Sequence, residues 1–229
     1  MKPIPLILAG VAAIILAPLL YLPFADTSEA PPPGSLPWQI EVHEDGATEV
    51  FGFVLGRSTL GEAQTRFGKD LEIAVVTPSG GRGSLEAFNG DARAGFITGK
   101  LVLTADLPQE RVDAMRERAV RSAYMDSSTR KATLHADDLA AALDAPIGAI
   151  TFIPTADLDE EVILARFGRP AERLASADHL QHFLYPEHGL EVTLDSRGKE
   201  ILQYVAPRDF ERLRAPLLEA ADAPAAEAQ

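Results

Sequence analysis

What most limits the possible folds of this chain is its first two dozen residues. After Lys2 no charge occurs from Pro3 to Phe24, and the run carries Ile4, Leu6, Ile7, Leu8, Val11, Ile14, Ile15, Leu16, Leu19 and Leu20. A helix of ~20 apolar residues spans the hydrocarbon core of a bilayer. A run without a polar face is ill suited to packing on a globular body. Tyr21 stands near its distal end, where aromatic rings favour the membrane interface. Lys2 precedes the run, whereas Asp26 and Glu29 follow it. Positive charge stays on the cytoplasmic side, so the N-terminus is expected inside and the main body outside. The rival reading is a cleaved signal peptide, because Ser28-Glu29-Ala30 has small residues at the spacing cleavage needs. Pro31 follows at once and the apolar run is long for a signal core, which favours a retained anchor over residues 1–25.

Residues 26–37 read as a linker centred on Pro31-Pro32-Pro33-Gly34. Consecutive prolines favour extended polyproline II and act as a semi-rigid spacer. At the other end, residues 219–229 are rich in Ala, Glu, Asp and Pro and are expected to be disordered. The net charge of -13 repels nucleic-acid phosphates. The most basic stretch, Arg111 to Lys131, is interrupted by Asp113, Glu117 and Asp126, so a solvated helix face is expected and no nucleic-acid partner. The chain has no cysteine, which excludes disulfides, thiolate zinc sites, thiol nucleophiles and a lipidated cysteine.

The body reads as mixed α and β. A strand over Val50–Leu55 leads to Ser58, which is expected to cap a helix over Thr59–Phe67, and Gly68 then ends it. Strands are expected at Leu71–Val76, Ser84–Phe88 and Phe96–Thr104, separated by Ser79-Gly80-Gly81-Arg82-Gly83 and Asn89-Gly90-Asp91. Pro108 opens a helix with Val112, Met115 and Val120 on one face. A strand over Arg130–Leu134 and a short helix from Asp137 or Asp138 follow. The second half echoes this order: a strand at Ala149–Ile153, a helix capped by Asp157 and ending in Arg166-Phe167-Gly168, and strands near Arg173–Ala175, Leu180–Tyr185, Leu190–Leu194 and Ile201–Val205. A helix from Arg208 closes the body. The letters repeat too, since Ala63-Gln64-Thr65-Arg66-Phe67-Gly68 aligns with Ile163-Leu164-Ala165-Arg166-Phe167-Gly168. The expected fold class is therefore α+β: an N-terminal membrane helix, then a tandem repeat of helix plus antiparallel-sheet modules over residues 38–145 and 146–218.

A capped helix ending in Phe-Gly, followed by meandering strands and a late turn, resembles the BamE/SmpA type of periplasmic module, related in fold to β-lactamase inhibitor proteins. Arg166-Phe167-Gly168-Arg169-Pro170 resembles that family's helix-to-strand junction, Phe183-Leu184-Tyr185 its aromatic central strand, and Leu190 to Gly198 its closing hairpin. The first copy has Lys69-Asp70 where a proline would stand, and the family's lipid-bearing cysteine is missing. The resemblance implies a small periplasmic module, in a family with a role in outer-membrane assembly.

Candidate chemistry is sparse. His179, His182 and His188 cluster near Asp178 and Glu187. In a strand His179 and His182 point to opposite faces, and His188 lies past Pro186, so exposed edge histidines are expected. Ser79 to Gly83 lacks the Lys-Ser/Thr ending of a phosphate-binding loop and reads as a hairpin connection. Glu160-Glu161 and Asp137-Asp138 suit helix starts, where the dipole favours acids. No catalytic residue, cofactor or metal ligand is assigned. The expected role is a membrane-anchored periplasmic binding or scaffold module, non-enzymatic, for a cell-envelope protein. The alternatives are an envelope hydrolase with an unassembled carboxylate or histidine site, and a small-ligand (lipid) binder.

Overall fold

The computed structural model describes residues 35–125 and 128–222. The expected anchor (1–25), the linker up to residue 34 and the last seven residues of the tail lie outside these. The body begins with a small sheet of β1 (Glu41–Val42), β2 (Thr48–Val50) and β3 (Phe53–Val54). Then come α1 (Leu60–Phe67), β4 (Glu72–Thr77), β5 (Ser84–Ala94), β6 (Ile97–Ala105) and α2 (Gln109–Glu117). Next are β7 (Arg121–Tyr124), β8 (Arg130–Thr133), α3 (Ala136–Leu143), β9 (Ile147–Pro154) and α4 (Glu160–Phe167). The chain closes with β10 (Glu172–Ala177), β11 (Leu180–Tyr185), β12 (Leu190–Asp195), β13 (Ile201–Val205) and α5 (Glu211–Asp222).

The expected fold class needs correction. The chain is mostly β-sheet, and β4 to β13 form one ten-stranded antiparallel sheet in the order β10-β11-β12-β13-β9-β6-β5-β4-β8-β7. No described helix is long and apolar enough to cross a membrane. The halves meet where β9 pairs with β6 on one side and with β13 on the other. Two separate sheets would each leave an open edge of unpaired donors and acceptors here, and pairing β6 with β9 removes both.

Strand alternation assigns the faces. Leu85, Leu101, Leu103, Ile150, Phe152, Val192, Leu202 and Tyr204 point inward to the main core. Leu60 and Ala63 of α1, Val112 and Met115 of α2, Ala142 of α3 and Ile163 of α4 cover them from that side. The opposite, outer face carries a second small core: Leu184 and Val205 of the sheet, closed by Phe210 with Leu213 and Leu217 of α5. The inner core is also plugged by the first small sheet, whose Phe51 ring lies 5.2 Å from Phe152 and 5.4 Å from Tyr204.

Local chemistry accounts for several shifts from expectation. The strand expected at Val50–Leu55 is a hairpin, because Phe51 and Gly52 take φ of 55° and 73° and turn the chain back. Thr59, not Ser58, caps α1, in a reciprocal box with Glu62. The Ser58 hydroxyl instead accepts from the Val54 amide and ties the preceding loop. Asp159, not Asp157, caps α4 by accepting from Val162. Asp157 pairs with Lys199. Asn89-Gly90-Asp91 is no turn between strands but a bulge within β5, where the Asn89 side chain accepts from the Asp91 amide at 2.9 Å. Val120 lies beyond α2 and is 63% exposed, off the expected helical face. Helix α5 runs through Asp222, into the segment expected to be disordered. The echoed hexapeptides do occupy matching places. Ala63 and Ile163 are both fully buried, and Gly68 and Gly168 both end their helices at positive φ.

Candidate functional site

Helix α5 seals only part of the outer face. Over β4, β5, β6 and β8 nothing described covers the sheet, and a groove of about 210 Å³ opens there. Its floor is Ala74 and Val76 of β4, Phe88 of β5 and Val102 of β6, with Met125 at one side. These residues share a face because Ala74 lies opposite Glu86 and Phe88 opposite Val102 in the paired ladders. Phe88 is 41% exposed. A phenylalanine left that open in mid-sheet, beside other apolar groups, marks a contact surface rather than a core.

The rims of the groove are charged. Lys131 of β8 pairs with Glu72 of β4 at 2.5 Å. That pair separates the groove from a second, more polar one of about 230 Å³ that runs to Arg121 and Ala123 of the edge strand β7. Glu86 stands between Phe88 and Ser84, and its Oε1 accepts from the Ser84 hydroxyl at 2.6 Å. Burial against the apolar floor raises its carboxyl above the usual 4.5, and the Ser84 bond opposes this only in part.

A pH-dependent cost follows. The folded chain holds the Glu86 proton more tightly than the unfolded chain does, so ionisation penalises folding. The penalty is absent below pH 4.5 and fully present once pH exceeds the raised folded value. Glu86→Gln is expected to stabilise the protein at pH 7.5, with the gain vanishing at pH 4. Urea melts at the two pH values read this directly, and a loss of stability at pH 7.5 would contradict it.

The histidines do not gather. His188 is exposed in the turn after β11, and His179 sits in the turn before it, half-buried. His182 differs from expectation, since it is buried on the outer face of β11. Its Nδ1 meets Glu191 Oε1 at 2.8 Å and its Nε2 meets Ser176 Oγ at 2.7 Å. The Thr193 hydroxyl donates to the same Glu191 oxygen at 2.7 Å. Asp178 and Glu187 take no part. No spacing signal pointed to Ser176 or Glu191, which the pairing of β10, β11 and β12 brings to His182. Among the described residues no cluster of His, Asp and Glu has the makings of a metal site.

The remaining candidates have structural employment. Ser79 to Gly83 links β4 to β5, with Gly80 at φ 70°. Asp138 is buried and paired with Arg118, while Asp137 donates its amide to the capping His135 ring. Of the basic stretch, Arg116 pairs with Asp113 at 2.9 Å, and Arg130 bonds Ser122 and stacks over Tyr124. Arg116 and Arg130 also line one cavity of about 280 Å³, with Thr77, Ser122 and Ala132. Compared with protein-family models, curated proteins and solved structures, the chain matches none.

Proposed function

We propose that this chain is a binding module of the cell envelope that seats an amphipathic helix of another envelope protein on the outer sheet face around Phe88. One observation carries the reading: the same face is already closed by a helix elsewhere. Phe210, Leu213 and Leu217 lie at i, i+3 and i+7 and pack on Leu184 and Val205. The groove at Phe88 offers the same kind of floor without an occupant from the described chain. Helix-in-groove recognition reads such anchors one turn apart. The Lys131–Glu72 pair and Glu86 at the rim suit the polar flank of such a helix. In this reading residues 1–25 anchor the protein in the bacterial inner membrane, residues 26–34 space it off the bilayer, and the body works in the periplasm. The expected linker is shorter than 26–37, because Ser35 and Leu36 are buried and the Tyr204 hydroxyl donates to the Pro37 carbonyl. The apolar run, its charge asymmetry and the likeness to BamE/SmpA modules support that placement.

Phe88→Asp places a charge where the partner's apolar anchors would sit. Central apolar anchors of an interface are worth about 2 kcal/mol or more each. The variant is expected to retain at most about 3% of the wild-type affinity in capture from detergent-solubilised membranes, since each 1.4 kcal/mol is tenfold. Phe88 is part-exposed, so the melting temperature is expected to stay within a few degrees of wild type. Unchanged recovery of the same partner by a folded Phe88→Asp protein would refute the reading.

A further inference from the structure

The chain of Ser176, His182 and Glu191, whose last two members are buried, has no part in the docking face. Glu191 is 2% exposed and His182 5%. Two oxygens stand at His182 Nδ1: Glu191 Oε1 at 2.8 Å and Thr193 Oγ1 at 3.2 Å. The Thr193 hydrogen is committed to Glu191, so both oxygens act as acceptors toward the ring. In the neutral ring these two acceptors place the hydrogen on Nδ1, so that Nε2 presents its lone pair to the Ser176 hydroxyl at 2.7 Å. This is the order of a serine nucleophile, its base and the carboxylate that orients the base.

The backbone at Ser176 is also unusual. Ala175 pairs with Gln181 and Ala177 with Leu180, so Ser176 is the extra residue of a β-bulge. A bulge re-aims the side chain it carries and leaves that residue out of the ladder. Strand β10 is an edge strand of the sheet, so no further strand pairs with its outer side, while α5 packs on it through Leu174 and the Arg214–Glu172 pair. Ser176 itself is part-exposed, whereas its two partners are buried. A hydroxyl within hydrogen-bond reach of a base that a third group orients is the signature of an activated nucleophile.

We propose that Ser176 is an acyl-accepting nucleophile that cleaves esters of small carboxylic acids, with His182 as general base and Glu191 as the residue that positions it. Ser176 Oγ bonds to the ester carbonyl carbon, and its proton passes to His182 Nε2. The carbon–alkoxide bond breaks, and the leaving alkoxide takes that proton as the alcohol. Water then attacks the acyl-serine, gives one proton to His182, and releases the carboxylic acid as Ser176 Oγ recovers the proton. A small acyl group suits this site because Ser176 stands on an edge strand and is only part-exposed, with buried side chains beneath it.

The test uses the full-length chain in detergent with a fluorophosphonate probe and p-nitrophenyl acetate. Phosphonylation is expected at Ser176 by peptide mass spectrometry, absent in Ser176→Ala, and slowed roughly 10²–10⁴-fold in His182→Gln, the range for loss of a general base. A folded wild-type protein left unmodified at Ser176 overturns the proposal, as does an equal rate in a cooperatively melting His182→Gln. Should His182→Gln fail to fold, Ser176→Cys decides. A thiol on His182 is expected to alkylate with a midpoint well below the ~8.5 of a free cysteine. An ordinary midpoint there overturns the proposal, because a merely space-filling hydrogen bond would not hold a thiolate.

Discussion

Phe152→Ala is expected to lower the unfolding free energy by about 3–5 kcal/mol, the range for truncating a buried aromatic. Phe152 is fully buried in β9 at the seam of the two halves. It lies opposite Leu101 of β6 and Leu202 of β13, so its ring is shared by strands from both halves. The ring also abuts Phe51 and enters space left by Gly99, where an added Cβ would stand 2.6 Å from Phe152 Cζ. No neighbour can collapse into that site without pulling β6 and β9 apart. A loss of this size is a large part of the ~5–15 kcal/mol that holds a domain folded. Urea denaturation followed by tryptophan fluorescence and far-ultraviolet dichroism measures it. One coincident, shifted transition is expected, whereas a loss under 1 kcal/mol would contradict a core shared across the seam.

Gly189→Ala is expected to cost about 3 kcal/mol, from two sources. Gly189 ends the turn between β11 and β12 in the left-handed conformation, φ 65° and ψ 28°, which costs other residues roughly 1–2 kcal/mol. A Cβ there would also overlap the Val205 carbonyl oxygen. Moving Val205 breaks its 2.9 Å amide bond to the Gly189 carbonyl and disturbs the 3.2 Å bond from the Thr48 hydroxyl to the Val205 oxygen. Each such bond is worth about 1 kcal/mol net. Thermal melts of the variant should show the drop, and an unchanged melting temperature would mean that this junction is not held as described.

What could be read in the letters depended on whether a residue's partner was near in sequence. Leu180–Tyr185 is legible as a strand because Phe183, Leu184 and Tyr185, buried on both faces, leave a short aromatic and apolar run. The ends of α1 and α4 are legible because Phe-Gly carries a local rule, the glycine at positive φ. Strand β7 is not, since Arg121, Ser122, Ala123 and Tyr124 are all exposed at the sheet edge and no alternation marks them. The Phe51-Gly52 turn escaped because a phenylalanine at positive φ breaks the usual preference, and distant partners hold it there: the rings of Phe152 and Tyr204, and the Arg66 guanidinium that donates to the Phe51 carbonyl. The union of two expected modules into one sheet rests on the β6–β9 ladder, which joins residues some fifty positions apart. Likewise, Phe88 reads simply as a strand residue until it is known which part of the outer face α5 covers. The environment of His182 needed the register of three strands.

Photo-crosslinking probes the uncovered sheet face around Phe88. A benzophenone amino acid is placed at position 88 of the full-length chain, and separately at position 110, an exposed site on α2 away from the groove. Both proteins are irradiated in intact bacterial envelopes. Position 88 is expected to yield one discrete adduct with a single envelope protein, with the cross-linked peptide an apolar-faced helix, and position 110 none. No adduct at position 88, or the same adducts from both positions, would contradict a docking site for a partner helix at Phe88.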